Sequence, residues 1–385
     1  MNQSSNKIIY LDNAATTPCD HRVIEAMYPY WTQFFGNPSS PHVLGRIAAN
    51  VLDDRRAEIS SLLKGSGSVV FTSGATESNN LAINSLIKHV QENLRRHKIL
   101  CLSTEHKSII NTINYYCTNM DIEVEWIPAN EQGLVDIEEL EQKIDSSIGA
   151  VITQLANSET GVIQDLQRIS KLCHRFGAVC FSDITQAIGK IPVQLDDFGV
   201  DFASFTAHKF YGPKGIGAVY VAPGMGLAPL LHGGAQEKNV RPGTENVTGV
   251  VGMAEAIKLC VNELERDRES ISILRNQLWH EFEQIHGIKW NGFGAPLLPS
   301  HLNITISGVN AQDLLLRVRR VAFSAGSACN TSSNLPSQVL LSMGLTGEQA
   351  EQTIRLSLGR FNSQEDIDTA ITYFRTAIDE IRLEA

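Results

Sequence analysis

The chain has 385 residues, of which 43% are hydrophobic and 19% charged, and it carries a formal net charge of −10. That length points to two domains rather than one core, and the composition is that of an ordinary water-soluble globular protein. The negative balance speaks against sequence-independent nucleic-acid binding, and no apolar run approaches a membrane span.

The N-terminus, Met1-Asn2-Gln3-Ser4-Ser5-Asn6-Lys7, is polar and lacks the apolar core of a secretory signal, so export is not expected. The 7 cysteines are scattered, with no Cys-x-x-Cys pair. They read as reduced thiols in a cytoplasmic compartment, not as a disulfide framework or a zinc site.

Between about residues 68 and 221, short apolar, β-branched runs alternate with amphipathic stretches. The runs lie at 69–71, 99–102, 124–127, 150–152, 179–181, 202–205 and 218–221. Helical patterns such as 137–144 and 166–176 separate most of them. This alternation predicts an α/β fold with a mostly parallel sheet flanked by helices. Ligands collect at the carboxyl ends of strands in such sheets. After Pro242-Gly243 the texture changes. A long helical pattern over 247–286, interrupted near Asp267-Arg268, is followed by a strand at 301–306, a helix at 312–320, a strand at 354–358 and a last helix at 364–383. These form a smaller α+β unit.

The strand ends carry the polar residues. Thr72-Ser73-Gly74-Ala75-Thr76-Glu77 joins a strand to a helix. Small residues there expose backbone N–H groups at a helix N-terminus, a ready anion site, although Thr76 could equally be an ordinary cap. His106 closes the next strand, as a proton-carrying or stacking ring or as a hydrogen-bonded surface group. Asn157, in Ala156-Asn157-Ser158-Glu159-Thr160-Gly161, is a ligand candidate or a turn residue. Asp183 is delivered to the end of 179–181, where a carboxylate can keep a pyridine nitrogen protonated, with Gln186 placed for a second ring substituent. An N-cap role is the alternative for Asp183. Lys209, in Thr206-Ala207-His208-Lys209, puts an amine at a strand end before a Gly-Pro break. Most lysines are merely solvated, but one so placed can form a Schiff base with a carbonyl cofactor.

In the smaller unit, Cys329 lies in a run of small polar residues, Gly326-Ser327-Ala328-Cys329-Asn330-Thr331-Ser332. Structural cysteines sit in apolar elements, as Cys180 and Cys260 are expected to do, whereas a thiol in an accessible loop is placed to react. Arg355, on a predicted strand, can clamp a carboxylate with two arms.

Taken in order, these stretches resemble the NifS/IscS-type cysteine desulfurases, class-V, fold-type I pyridoxal-phosphate enzymes. The resemblance is carried by Tyr10-Leu11-Asp12-Asn13-Ala14-Ala15-Thr16-Thr17-Pro18, Gly36-Asn37-Pro38-Ser39-Ser40, Ser73-Gly74-Ala75-Thr76-Glu77-Ser78-Asn79, and Thr104-Glu105-His106-Lys107. It continues through Asn157-Ser158-Glu159-Thr160-Gly161, Asp183-Ile184-Thr185-Gln186, Ala207-His208-Lys209-Phe210-Tyr211-Gly212-Pro213-Lys214-Gly215, Arg241-Pro242-Gly243-Thr244-Glu245-Asn246, Gly326-Ser327-Ala328-Cys329 and Ile354-Arg355-Leu356-Ser357.

The resemblance implies a fold-type I architecture with a mostly parallel seven-stranded sheet. Residues 16–260 would form the cofactor domain, and 261–385 with 1–15 the small domain carrying the cysteine loop. It implies that Lys209 anchors pyridoxal 5′-phosphate, that Asp183 pairs with the ring nitrogen and Gln186 with the phenolic oxygen, and that His106 stacks on the ring. Gly74, Ala75, Thr76, Thr206 and His208 would hold the phosphate, with Thr244 contributed by the partner of a homodimer. Asn157 and Arg355 would bind the carboxylate of the substrate L-cysteine, and Cys329 would be the nucleophile that accepts sulfur. An acceptor such as an iron–sulfur scaffold protein follows as a partner, with no metal in the site. The cofactor residues alone are equally compatible with a selenocysteine lyase or another class-V aminotransferase or lyase. The Cys329 loop favours sulfur removal.

Overall fold

The computed structural model describes residues 7–325 and 336–384. All seven runs expected as strands pair into one sheet. In spatial order it consists of Ser68–Thr72, Gly217–Val221, Phe202–Thr206, Val179–Asp183, Ile148–Ile152, Lys98–Leu102 and Glu123–Ile127. Gly217–Val221 is antiparallel to both of its neighbours, and the remaining pairs are parallel. Ile148–Ile152, Val179–Asp183 and Phe202–Thr206 are buried along their whole length. Such uniform burial is why these runs read as continuous apolar stretches without alternation. Helices cover both faces. Ala75–Glu92 and Lys107–Asn119 pack against the apolar cluster containing Val70, Ile99 and Phe202. Leu166–Arg175 and Val247–Asn262 close over the cluster that holds Leu100, Val151 and Phe205.

A four-stranded antiparallel sheet follows the order Ser324–Ala325, Thr353–Ser357, His301–Ile306, Ile288–Trp290. Its core is a separate apolar cluster running from Ile271 to Ile381, which also takes in Ile9 and Leu11. The N-terminal segment joins this unit because Ile9–Tyr10 pairs in parallel with Val321–Ala322. The segment then bridges Asp12 to Ser357.

The helical stretch after residue 247 breaks elsewhere than the sequence suggests. The two helices are Val247–Asn262 and Leu264–Glu283, so the interruption falls at Glu263 and not at Asp267-Arg268. Asp267 lies inside the second helix, where it is a buried counter-ion. Arg360, with a side chain only 3% exposed, pairs with Asp267 at 2.8 Å and with Asp20 at 3.1 Å. It also lies 4.1 Å over the Tyr211 ring. This guanidinium therefore ties the two apolar clusters together, and removing it would leave Asp20 with Arg22 and Asp267 with Arg266 as their remaining partners. Among the described residues, no helix is long and apolar enough to cross a membrane.

Candidate active site

The carboxyl ends of the large sheet open on a cavity of about 740 Å³, lined from both units. Lys209, Asp183, Gln186, His106, Thr206, His208 and Gly74–Thr76 face it from the large sheet's strand ends. Asp12, Ser324 and Arg355 face it from the small one. The topology explains the gathering. Asp183 ends one strand, whose neighbour Phe202–Thr206 runs straight into the 3₁₀ turn Ala207–Lys209.

Lys209 Nζ donates to the carbonyls of Ala14 at 2.7 Å and Ala15 at 2.8 Å. The Ala14 carbonyl also accepts from Gln186 Nε2 at 3.0 Å. The segment Tyr10-Leu11-Asp12-Asn13-Ala14-Ala15 thus crosses the site and holds both side chains by its backbone. The sequence motif marked this segment, but carbonyl acceptors leave no side-chain signature, and the role was not readable.

Asp183 is 8% exposed. Its Oδ1 accepts from the Thr185 N–H at 2.9 Å and its Oδ2 from Asn79 Nδ2 at 3.1 Å. The carboxylate ends a strand and starts no helix, so its N-cap alternative is not what forms. His106 does cap the helix Lys107–Asn119, accepting from the Ser108 N–H at 3.1 Å. Its ring nevertheless faces the cavity. Burial pulls the His106 imidazole below its ordinary value, Asp183 opposes that and Lys209 adds to it.

The helix Ala75–Glu92 starts at Gly74, with no side-chain cap. Thr76 is therefore not the cap, and Gly74, Ala75, Thr76 and Glu77 at this helix start line the cavity. Gly217 makes this possible. A Cβ there would come within 2.5 Å of the Gly74 carbonyl carbon, so only glycine lets the antiparallel strand lie against the turn. Thr206 gives its hydroxyl proton to the Ile216 carbonyl at 2.8 Å, and would have to turn to donate to an anion. His208 Nδ1 lies 3.1 Å from Thr16 Oγ1. Burial first, then the nearby Lys209, Lys214 and Lys190, pull this imidazole down to about 4, so it is a neutral donor at pH 7.

Arg355, 6% exposed, stands at the other wall. Nη2 donates to Asp12 Oδ1 at 2.7 Å and to Ser324 Oγ at 2.9 Å, and Nη1 to the Ser158 carbonyl at 3.0 Å. Asn157 is not brought to the cavity surface. Its Oδ1 accepts from the N–H groups of Glu159 at 2.8 Å and Thr160 at 2.9 Å, which is the turn role weighed for it. Its neighbours Ala156 and Ser158 line the wall instead. Thr244 is exposed and does not line the cavity of its own chain. Its motif reaches the rim through Arg241, whose Nε donates to Glu77 Oε1 at 2.9 Å. Cys329 lies outside the described residues.

Two buried ionisable groups beside the site were invisible in the sequence. Glu105 is 3% exposed, and the backbone N–H groups of Gln154 and His106 only partly offset its burial. Burial first and Asp183 second push its carboxyl well above the ordinary range. Lys190 donates to the Lys209 carbonyl at 3.2 Å, and burial, with Lys209 adding to it, brings its amine down to about 7. Nothing in local pattern distinguishes such residues from solvated ones.

The donor set fits pyridoxal 5′-phosphate. Thr185 Oγ1 and Gln186 Oε1 are buried, line the cavity and have no partner, as expected of groups awaiting a polar ring substituent. An uncapped helix N-terminus suits a phosphate, and a carboxylate and an amine face the same space.

The chain matches the Aminotransferase class-V family over residues 9–369. It is 36% identical over 393 residues to a protein of Rickettsia massiliae named cysteine desulfurase IscS, covering 99% of this chain and 94% of that one. A solved NifS-like protein superposes with a TM-score of 0.89 at 31% identity, covering 97% of this chain and 100% of that chain. A structure described as SspA in complex with cysteine gives 0.78 at 31% identity, with 92% and 99% covered. The chain belongs to the class-V aminotransferase family and, within it, to the NifS/IscS-like cysteine desulfurases.

Proposed function

We propose that this protein removes sulfur from L-cysteine with pyridoxal 5′-phosphate, giving L-alanine and a persulfide on Cys329. The observation that supports this best is one cavity shared by Lys209, Asp183, an uncapped helix N-terminus and, from the other unit, Arg355. The solved relative in complex with cysteine agrees with that substrate.

When bound, the cofactor supplies a carbonyl for amines and a ring that stores the electron pair released at the substrate α-carbon. Asp183 would hold the ring nitrogen protonated, Gln186 would meet the ring's phenolic oxygen, and His106 would lie on the ring face. Gly74, Ala75, Thr76, Thr206 and His208 would hold the phosphate, joined by Thr244 of a second subunit in a homodimer. Arg355, helped by the turn that Asn157 organises, would take the substrate carboxylate. Lys209 Nζ then removes the α-proton. The Cys329 thiolate attacks the substrate sulfur. A sulfur–sulfur bond forms, the carbon–sulfur bond breaks, and its electron pair stays with the substrate carbon, which is protonated to alanine. The persulfide passes its outer sulfur to an acceptor such as an iron–sulfur scaffold protein in the cytoplasm. In this reading residues 16–260 bind the cofactor, and 261–385 with 1–15 carry the nucleophile.

The test is turnover of L-cysteine by the purified protein in the presence of a thiol reductant. Alanine and sulfide in equal amounts are expected. A Cys329→Ser protein that still releases sulfide at the wild-type rate would overturn the assignment of the nucleophile.

A further inference from the structure

Asn79 lies on the helix Ala75–Glu92, is 0% exposed and does not line the cavity. Its amide has no spare hydrogen. Nδ2 donates to Asp183 Oδ2 at 3.1 Å and to Ser108 Oγ at 2.8 Å. Its Oδ1 accepts from the hydroxyl of Ser204, the residue paired with Asp183 on the neighbouring strand. The orientation is forced, because turning the amide over would set its oxygen against the Asp183 carboxylate. The chain of donors continues. Ser108 Oγ accepts from Asn79, so its own proton is free for His106 Nδ1 at 2.8 Å. The Ser108 backbone N–H donates to the same nitrogen at 3.1 Å. Nδ1 is therefore an acceptor, and the neutral His106 ring carries its proton on Nε2.

We propose that Asn79 is a positioning residue that locks Asp183 and His106 into one geometry, so that the group which would hold the cofactor's ring nitrogen and the group which would lie on its face respond to each other through a single amide. The inference rests on the cofactor reading above for its consequence, but not for the linkage itself. Two carboxylate oxygens and one ring nitrogen are each fixed by a named donor, and Asn79 serves two of the three directly or through Ser108. A carboxylate held by fixed donors keeps one orientation as its surroundings change charge, which is what preorganisation at a reacting centre requires. Besides Asp183, the charged groups facing His106 are Lys209 across the cavity and Lys107, its neighbour on the following helix. The buried Glu105 precedes it.

The experiment compares Asn79→Asp, nearly the same shape, with Ser108→Ala. In apoprotein, the His106 titration midpoint is followed by NMR. In loaded protein, the pH midpoint of the bound cofactor's visible band and its affinity are followed by absorbance. In Asn79→Asp the new carboxylate draws the Ser108 proton away from His106 and faces Asp183. The His106 midpoint should rise by about one pH unit or more, the cofactor midpoint should move, and affinity should fall about tenfold. Ser108→Ala should move the His106 midpoint alone. Folded Asn79→Asp protein with both midpoints at wild-type values would overturn the proposal, whatever its melting temperature. Should wild-type apoprotein fail to bind pyridoxal phosphate, the cofactor reading falls. The His106 midpoint in apoprotein still decides the linkage.

Discussion

Replacing Arg355 with lysine tests how the small unit contributes to the site. The guanidinium makes three hydrogen bonds, two from Nη2 to Asp12 and Ser324 and one from Nη1 to the Ser158 carbonyl. It is 6% exposed, so water cannot replace a lost partner easily. Lysine keeps the charge but has one nitrogen where arginine has two working arms. It can stay with Asp12 or turn to an incoming carboxylate, and cannot do both in the planar geometry. At least one charge-assisted hydrogen bond is lost, worth about 1.5–3 kcal/mol. This corresponds to about 10–150-fold in KM for L-cysteine. Because the substrate carboxylate does not change during the reaction, the interaction is equal in ground and transition states, and kcat should stay within about threefold. Initial rates of sulfide release over a range of L-cysteine concentrations give both constants, and cofactor absorbance confirms loading. A KM within about twofold of wild type would refute the carboxylate role. A fall in kcat at unchanged KM would refute the argument that the contact is uniform through the reaction.

Gly217→Ala drives a methyl group to within 2.5 Å of the Gly74 carbonyl carbon and should weaken pyridoxal phosphate binding about tenfold or more through overpacking at the helix start. Unchanged affinity on titrating the apoprotein would contradict the phosphate assignment. Lys190 has its amine lowered from 10.5 to about 7, so between those values the unfolded chain binds more protons and native stability rises with pH. The stability of wild type relative to Lys190→Met should therefore climb from pH 7 to 9 in apoprotein denaturation curves, and a flat difference would contradict it. Glu105 shows the opposite sign. Its carboxyl is raised above 4.5 by burial and by Asp183, so the stability it contributes is lost as pH rises. Glu105→Gln should gain stability on wild type between pH 5 and 8, and an equal difference at both ends would exclude that.

The large sheet was legible because its strands are buried on both faces, so that residues such as Ile148–Ile152 and Phe202–Thr206 form unbroken apolar runs. Lys209 and Asp183 stood out because each ends such a run. The small unit was less legible. Ile288–Trp290 is a short edge strand with one buried residue, and no alternation marks it. The helix break falls at Glu263, and Asp267 inside the next helix pairs with Arg360, a contact about 100 residues away in sequence that no local pattern encodes. Asn157 illustrates the reverse failure. Its turn geometry and a ligand role look alike in sequence, and the structure shows Oδ1 engaged by its own turn. The second layer of the site, Asn79, Ser108, Glu105 and Lys190, is defined by contacts between elements. The motif stretches contain several of these residues but say nothing of what they touch.

The central claim is that sulfur leaves L-cysteine onto Cys329 while Lys209 manages the proton. Its most direct test is a single turnover of the loaded protein with L-cysteine, quenched with an alkylating agent and read by peptide mass spectrometry. The account predicts one additional sulfur on the peptide containing Cys329, in proportion to the alanine formed, and none in Lys209→Ala protein. Additional sulfur on Cys19 or Cys117 instead, or alanine formed with no sulfur on Cys329, would contradict it.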